Sequence, residues 1–339
     1  MTIASINAEC WQPASCRPGC HPFRIDCGKT GQSAVAWSAW VAQGSAAGPV
    51  FLVTAGVHGD EYEGMEGIRR FVEQLDPASL RGTVIGIPLV NEQAFEAMQR
   101  THPGDQLDLA RAFPGKFDGR PTERLAWALR HCVLPQCDFY CDIHAAGIHY
   151  EIAPLTGYQL GDDSFNERQY RACAAFGLPI IWATGYLPGR SLSAAREAGV
   201  PAIYAEYTGG GDRRAADVAH CAEALQRVAA TLGMLEPKAQ LPFEGALVED
   251  DSDQAGHLQA QGQAPASGFF RPRVKILDRV RRGDLLAEIA DPLGRTLARI
   301  EAEQDGRVVM LRKTRYLRQG ESGVSIIAMQ EVKKGERGA

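Results

Sequence analysis

The stretch Val50-Phe51-Leu52-Val53-Thr54-Ala55-Gly56-Val57-His58-Gly59-Asp60-Glu61 joins an apolar run to a short polar segment. The apolar part, Val50–Val57, predicts a buried strand, because such runs bounded by a glycine-containing turn are typical of sheet cores. A helix over Glu63–Leu75 is predicted next from apolar residues at helical spacing: Met65, Ile68, Phe71, Val72 and Leu75. A buried strand that leads into an amphipathic helix is the unit of an α/β sheet packed between helices.

The same alternation extends from about residue 34 to residue 235. Further strands are predicted at Ala34–Val41, Thr83–Val90, Phe139–Ile143, Ile180–Ala183 and Ala202–Tyr207. Further helices are predicted at Thr122–Cys132 and Asp217–Leu232. We therefore predict an α/β fold for this part of the chain.

The pattern changes after residue 235. Residues 236–267 contain Pro237, an acidic run at 249–253 and a Gln/Ala/Gly-rich stretch, which indicate linker and loop. From Phe269 onward short β-type segments alternate with turn signals, as in a small all-β barrel or sandwich. We predict two domains, a larger one over residues 1–240 and a smaller β domain over residues 241–339. The smaller domain is interpreted as a cap over a pocket or as a contact in a homo-oligomer.

Composition limits the classes of partner and compartment. The chain has 339 residues with 36 Lys and Arg against 41 Asp and Glu, a formal charge of −5. This balance argues against nucleic acid or an anionic membrane as the main partner. No apolar run is long enough to span a membrane, and the N-terminus lacks the features of a signal peptide. Nine scattered cysteines favour reduced thiols, so we predict a cytoplasmic protein.

Two phosphate and nucleophile motifs are nearly present but incomplete. Gly28-Lys29-Thr30 resembles the end of a phosphate-binding loop, but Phe23 stands where that loop requires glycine. Residues 189–193, Gly-Arg-Ser-Leu-Ser, resemble a nucleophile elbow in which Ser193 replaces the second glycine. Nucleotide binding and serine hydrolysis are therefore not predicted.

A metal-binding pattern follows two of the predicted strands. His58 and Glu61 are three residues apart at the start of a helix, so both side chains would share one face. The run at 138–144 is a second buried strand, and it ends in His144. Ligands in open α/β sheets bind beyond the carboxyl ends of strands, where both histidines would emerge. Two His and one Glu with a fourth position left for water form the ligand set of a catalytic zinc site. For His58 and Glu61 alone, a solvated helix start is the alternative.

A third strand end supplies a candidate general base. Glu206 closes the apolar run Ala202–Tyr207 and precedes three consecutive glycines. A carboxylate at this edge of the sheet could take a proton from a water molecule activated by zinc. Taken alone, a carboxylate that caps the following turn is an equal interpretation.

Together these residues resemble the succinylglutamate desuccinylase/aspartoacylase family, which is related to the zinc carboxypeptidases. Residues 108–115, Asp-Leu-Ala-Arg-Ala-Phe-Pro-Gly, resemble the family segment Asp-Leu-Asn-Arg-x-Phe-Pro-Gly. The other matching motifs are His58-x-x-Glu61, the Asp-Ile-His ending at His144, Ala205-Glu206 before the glycines, and Asn91 with Ala94-Phe95. The resemblance implies a mixed sheet of the zinc-carboxypeptidase type. It also implies a zinc-dependent amidohydrolase that cleaves the amide of a small N-acylated amino acid or amine.

The resemblance also implies roles for individual residues. One Zn²⁺ per chain would be held by His58, Glu61 and His144, with Glu206 as the water-activating base. Arg100 corresponds to the arginine that polarises the scissile carbonyl, and Arg111 to the one that pairs with a substrate carboxylate. Further candidates for substrate contact are Asn91, Ala110 and His149.

One departure from the family pattern affects substrate binding. Ala110 stands where the family has asparagine, which removes a side-chain amide beside Arg111. Losing one such polar contact weakens binding by about 1–3 kcal/mol unless the substrate differs or another group compensates. Two alternatives stay open at this point: a metallocarboxypeptidase that acts on short peptides, and a non-catalytic protein that binds a metal or small molecule.

Overall fold

A mixed sheet of eleven strands runs through the larger part of the molecule. The computed structural model describes residues 4–7, 17–31, 33–161, 164–237, 243–251, 255–256, 258–328 and 330–331. The strands are β1 Ala4–Asn7, β2 Gly19–Thr30, β3 Ser33–Gln43, β4 Ala46–Ala55, β5 Arg81–Ile87, β6 Phe139–Ala145, β7 Tyr150–Ile152, β8 Leu155–Gln159, β9 Ile180–Thr184, β10 Ala202–Tyr207, β11 Ala246–Asp250, β12 Gly268–Pro272, β13 Arg279–Val280, β14 Leu285–Ala290, β15 Thr296–Glu301, β16 Gly306–Arg312, β17 Tyr316–Leu317, β18 Val324–Ile327 and β19 Gln330–Glu331. The helices are α1 Glu63–Glu73, α2 Glu92–Glu96, α3 Pro121–Ala128, α4 Phe165–Phe176, α5 Ser191–Glu197 and α6 Ala215–Thr231.

The strand order of this sheet places the candidate residues on neighbouring strands. The order is β1-β2-β3-β5-β4-β6-β10-β8-β9-β11-β19, with β4, β6 and β10 parallel and adjacent at the centre. Within this centre His144 lies directly opposite Glu206. The neighbouring strand β8 is antiparallel to β10, so the sheet is mixed, as the resemblance implied. The predicted α/β fold is confirmed.

Helices cover both faces of the sheet. On one face, α1, α4 and α6 contribute buried residues to one apolar cluster with the sheet, including Phe71, Phe176 and Leu225. On the other face, α3 and α5 pack into a second cluster through small residues such as Ala126 and Ala194. Because both faces are covered, the central strands are apolar almost continuously, which is why their runs were visible in the sequence.

The C-terminal part contains two antiparallel sheets. One has the order β15-β14-β12-β17, and the other joins β13, β16 and β18. Between them lies a separate apolar cluster that includes Phe270, Ile289 and Ile300. The strand β7 of the larger part pairs with β16, with Ile152 opposite Met310. The predicted all-β character of this part is therefore confirmed.

The boundary predicted between residues 240 and 241 stays a prediction. Strand β11, on the C-terminal side of it, pairs with β9 in the large sheet. Within the described ranges, no helix is both long enough and apolar enough to cross a membrane.

Candidate active site

Three side chains converge at the carboxyl ends of β4 and β6. His58 and Glu61 lie in the loop between β4 and α1, and His144 lies on β6. Glu61 Oε1 is 2.7 Å from His58 Nδ1, and Glu61 Oε2 is 2.9 Å from His144 Nδ1. The three offer ligand atoms that all lie within 4.8 Å of one another, and all three residues are buried. The structure thus brings together the three residues predicted as metal ligands.

A glycine allows the loop to reach this position. A Cβ on Gly59 would lie 2.0 Å from the carbonyl carbon of Ala94, so any other residue would push the loop away from α2. Helix α2 is itself held by Asn91, whose side-chain oxygen accepts a hydrogen bond from the backbone N–H of Ala94. The Asn91 amide also donates to the carbonyl of Val57, next to His58.

Each histidine is held from behind by a carboxylate. His58 Nε2 is 2.9 Å from Asp108 Oδ1, and His144 Nε2 is 3.1 Å from Asp142 Oδ2. Without a metal, each Nδ1–H can donate to Glu61. With the proton on Nε2 alone, that nitrogen would donate to the carboxylate behind it and Nδ1 would offer its lone pair to a metal ion. Two imidazole nitrogens and one carboxylate oxygen, each histidine oriented by a second carboxylate, fit a zinc ion.

The carboxylates of the site are ionised at neutral pH. Burial alone would raise the pKa of Glu61, but the nearby charges of His58 and His144 outweigh it and hold the pKa below its usual range. For Asp108, hydrogen bonding to His58 and the charge of Arg100 likewise outweigh burial and lower the pKa. A buried group of carboxylates with imidazoles favours a cation at the point where the ligand atoms meet.

Glu206 occupies the neighbouring strand and behaves differently. Burial raises the pKa of Glu206 to about 7; the charge of Glu61 adds to this effect, while His144 opposes it. Its carboxyl group lines the same cavity as the three candidate metal ligands. A carboxyl group with a pKa near neutrality can both accept and return a proton, which is the property required of a general base.

The two predicted arginines, Arg100 and Arg111, both line this cavity, but they differ in their partners. Arg100 donates from Nε and Nη2 to Asp108 Oδ2 at 3.2 and 3.1 Å, and its Nη1 lies 3.4 Å from Glu61 Oε1. Arg111 is exposed and donates from Nη1 to the carbonyl of Ala110 at 2.9 Å. Among the described residues, no carboxylate forms an ion pair with Arg111, so its guanidinium is available to an anionic ligand.

Among the substrate-contact predictions, Ala110 lines the cavity, whereas Asn91 and His149 do not. Asn91 is fully buried and uses its amide to hold α2 and the loop before His58. His149 is exposed and does not line the cavity, whereas Ala146 before it and Tyr150 after it do. Asn91 therefore acts through the loop it holds, and His149 lies outside the site.

Arg190 is a cavity residue that the sequence analysis did not identify. It lies at the start of α5, donates from Nη2 to the carbonyl of Gly256 at 2.9 Å, and lines the cavity. Burial lowers the pKa of Arg190, and the charge of Glu206 partly restores it. The sequence signal for this region is the segment 189–193, whose resemblance to a nucleophile elbow does not indicate a cation in the cavity.

Because of Glu63, at the start of α1, we expect the free energy of unfolding of the protein to depend on pH. It is 1% exposed, and burial raises its pKa to about 7 from an ordinary value of 4.5. Between these values the native state holds a proton that the unfolded chain releases, so the free energy of unfolding falls as pH rises. We expect Glu63→Gln to stabilise the metal-free protein by about 1–3 kcal/mol at pH 8 and to have little effect near pH 4.5.

Urea unfolding of both proteins at several pH values measures this difference. The exposed Glu96 on α2 provides the control Glu96→Gln, for which we expect no such pH dependence. A Glu63→Gln effect of equal size at pH 5 and pH 8 would contradict the raised pKa.

Comparison with known proteins gives consistent matches. Residues 47–232 match the model of the succinylglutamate desuccinylase/aspartoacylase catalytic domain. The chain is 29% identical over 286 residues, 83% of this chain and 82% of the relative, to the N-alpha-acetyl-L-2,4-diaminobutyric acid deacetylase of Halomonas elongata. A succinylglutamate desuccinylase from Silicibacter sp. has a similar structure, with a TM-score of 0.81 and 25% identity over 93% of this chain and 96% of that one. The product-bound ectoine utilization protein EutE (DoeB) from Ruegeria pomeroyi has a TM-score of 0.79 and 25% identity over 93% and 99%.

Proposed function

The chain belongs to the succinylglutamate desuccinylase/aspartoacylase family, and we propose that it is a zinc-dependent deacylase. It would hydrolyse the amide bond of a small N-acylated amino acid or amine. One observation carries this proposal: a buried His58, Glu61 and His144 group shares a cavity with Glu206, whose pKa is raised to about 7. The deacetylase of Halomonas elongata, similar over most of both chains, supports an N-acyl substrate.

The proposed metal is one Zn²⁺ per chain, held by His58, Glu61 and His144. When bound, zinc supplies Lewis acidity that polarises the scissile carbonyl and lowers the pKa of water. Asp108 and Asp142 hold the two imidazoles in the tautomer that this binding requires.

The protein residues then carry the proton and the charge. Glu206 takes a proton from the attacking water as its oxygen forms a bond to the carbonyl carbon. Arg100 stabilises the negative charge that develops on the carbonyl oxygen. As the carbon–nitrogen bond breaks, Glu206 returns the proton to the leaving amine nitrogen, which releases a carboxylic acid and an amine.

Substrate binding is assigned to the arginine side of the cavity. Arg111 is exposed to the cavity and would hold a substrate carboxylate through two of its N–H groups. Ala110 beside it cannot supply the amide that the family asparagine provides. Burial and the nearby charge of Arg190 lower the pKa of Arg111, so the two guanidinium groups lie close to each other. We propose that Arg190, which lines the same cavity, compensates as a second cation.

The proposed partner is the small-molecule substrate, and we propose neither nucleic acid nor membrane as a partner. We also propose that the chain can form a homo-oligomer. We also propose a cytoplasmic location. In its support, five of the cysteines that the structure describes are in the thiol form: Cys20, Cys137, Cys141, Cys173 and Cys221. Thiols without disulfides are typical of a reducing compartment.

The proposal is tested by incubating the zinc-loaded protein with acylated compounds and following the products by mass spectrometry. The panel holds N-acetyl, N-succinyl and N-formyl amino acids, acylated diamines and dipeptides. We expect turnover of at least one N-acyl compound and none in protein stripped of metal. Turnover of dipeptides alone would indicate a carboxypeptidase, and zinc binding without any turnover would indicate a binding protein.

A further inference from the structure

The cavity extends well beyond the residues that the proposed reaction uses. Its volume is about 360 Å³, and it continues from Glu206 across the face of β10, β8 and β9. Residues that pair across these strands share one face of the sheet, because side chains alternate along each strand. The floor of the cavity can therefore be followed row by row.

Three rows make up this floor. In the first, Glu206 lies opposite Leu155, close to the metal ligands. In the second, Tyr204 lies opposite Gly157, which lies opposite Trp182. In the third, Gln159 lies opposite Thr184. Each row is two residues further along the strand, so the third row is about 13 Å from Glu206 at a rise of about 3.3 Å per residue.

A glycine keeps the middle of this path open. A Cβ on Gly157 would lie 2.3 Å from Cε1 of Tyr204, so only glycine lets that ring lie across β8. Arg190 borders the same part of the cavity, with its guanidinium held by the carbonyl of Gly256. The ring of Tyr204 thus forms the floor between the metal ligands and the third row.

We call the group Gln159, Trp182, Thr184 and Ser193 the distal end of the cavity. All four residues line it, all four are buried, and none carries a charge. The single hydroxyl proton of Ser193 can be donated either to Gln159 Oε1, at 2.9 Å, or to the carbonyl of Leu187, at 2.6 Å.

Trp182 carries an unused hydrogen-bond donor at the distal end. The residue is 3% exposed, and its Nε1 has no hydrogen-bond acceptor among the described residues. A buried indole N–H almost always has a partner, since leaving it unpaired costs free energy. Because Trp182 lines the cavity, we assign an acceptor on a bound ligand as the missing partner of this N–H.

We propose that the distal end is a second substrate subsite, which takes an uncharged, acceptor-bearing group at the end of an extended substrate. The proposal rests on the deacylase function proposed above and specifies its substrate class. The group would accept a hydrogen bond from Trp182, as a carboxamide or ureido oxygen can. A cationic group, whether ammonium or guanidinium, would be rejected there, because the four distal side chains offer it no negative charge.

The extended group can belong to the amine or to the acyl part of the substrate. Two sets of compounds, each with the group on one of these parts, distinguish the two possibilities. The first set compares Nα-acetylcitrulline with Nα-acetylarginine, which has nearly the same shape but a positive charge, and with N-acetylalanine. The second set compares N-acetylalanine with an N-acylalanine whose acyl group is that of glutaric acid monoamide, so that the carboxamide lies at the end of the acyl chain. We expect one neutral extended compound to exceed both N-acetylalanine and Nα-acetylarginine at least tenfold in kcat/KM.

Trp182→Phe keeps an aromatic ring and removes only the N–H donor. We expect it to lose about tenfold in kcat/KM for the preferred extended compound and less than twofold for N-acetylalanine. Trp127→Phe is the matched control, because Trp127 stacks on His131 and lies outside the cavity. Thr184→Val provides a second distal variant should Trp182→Phe not fold.

Binding to the zinc-loaded protein is measured by calorimetry alongside turnover. Turnover with equal preference for all compounds, or a preference that the distal variants leave unchanged, would overturn the subsite and leave the deacylase proposal intact. Binding that depends on Trp182 without turnover would support the subsite and overturn the deacylase proposal. Neither turnover nor binding of the extended compounds would overturn both.

Discussion

Glu206→Gln is expected to lower kcat by about 10²–10⁴-fold while the protein keeps its metal. Glutamine has nearly the same shape as glutamate but cannot accept the proton of the attacking water. Glu206 is placed beyond the three candidate metal ligands rather than among them, so its replacement leaves their donor atoms in place. The measurement is the steady-state rate on the best panel substrate, with zinc content determined on the same preparation.

The matched control is Glu96→Gln, which makes the same exchange at an exposed position outside the cavity and is expected to leave kcat and zinc content unchanged. For Glu206→Gln we further expect substrate binding within a few fold of the parent protein, because the proton is transferred only during the reaction. Near-full activity of Glu206→Gln would mean that another group acts as the base. Loss of zinc from the variant would mean that Glu206 is a ligand instead.

The central residues of the site could be predicted because each stands at the end of a strongly apolar strand. His144 and Glu206 end the runs that became β6 and β10, and parallel neighbours bring such ends to one edge. The strand over Val50–Val57 ends at Ala55 in the structure, which leaves His58 in the loop that carries it to Glu61. An error of two residues at a strand end did not affect the prediction, because the loop is short.

The sequence does not predict the distal end, because the strands that supply it lack a clear pattern. Strand β8, which supplies Gln159, has glycine at its centre and no apolar alternation, so no strand was predicted there. Trp182 lies within a predicted strand, but an apolar run that is buried on both faces gives no sign of which residue faces a cavity. Arg190 depends on a contact with Gly256, which is 66 residues away in the chain.

Asn91 is a residue that the sequence identified but whose role it could not define. The family resemblance suggested a substrate contact, and sequence alone could not distinguish this from a structural role. In the structure its side chain caps α2 and donates to the carbonyl of Val57, so both ends of the amide are occupied. The same motif residue supports the candidate metal ligands indirectly, by fixing the loop that carries His58.

His58→Ala is expected to abolish stoichiometric zinc binding and, with it, all detectable deacylase activity. The substitution removes one of two imidazole ligands and leaves Asp108 and Glu61 without the ring that separates them. The carboxylates of buried Glu61 and half-buried Asp108 would then raise each other's pKa, and a carboxyl group that holds a proton is a poorer metal ligand. Zinc content after gel filtration, measured by atomic emission, is expected to fall from about one per chain in the parent to below about a tenth.

Thermal unfolding provides an independent measurement of the same loss. A ligand that binds only the native state raises its stability by about 2.7 kcal/mol at a concentration one hundred times the Kd. We therefore expect added zinc to raise the Tm of the parent protein and to leave that of His58→Ala unchanged. His149→Ala is the matched control, because His149 is exposed and lies outside the cavity, and it is expected to retain both zinc and activity. If His58→Ala kept a full equivalent of zinc, the ion would have to be bound elsewhere and the proposed role of the buried group would be wrong.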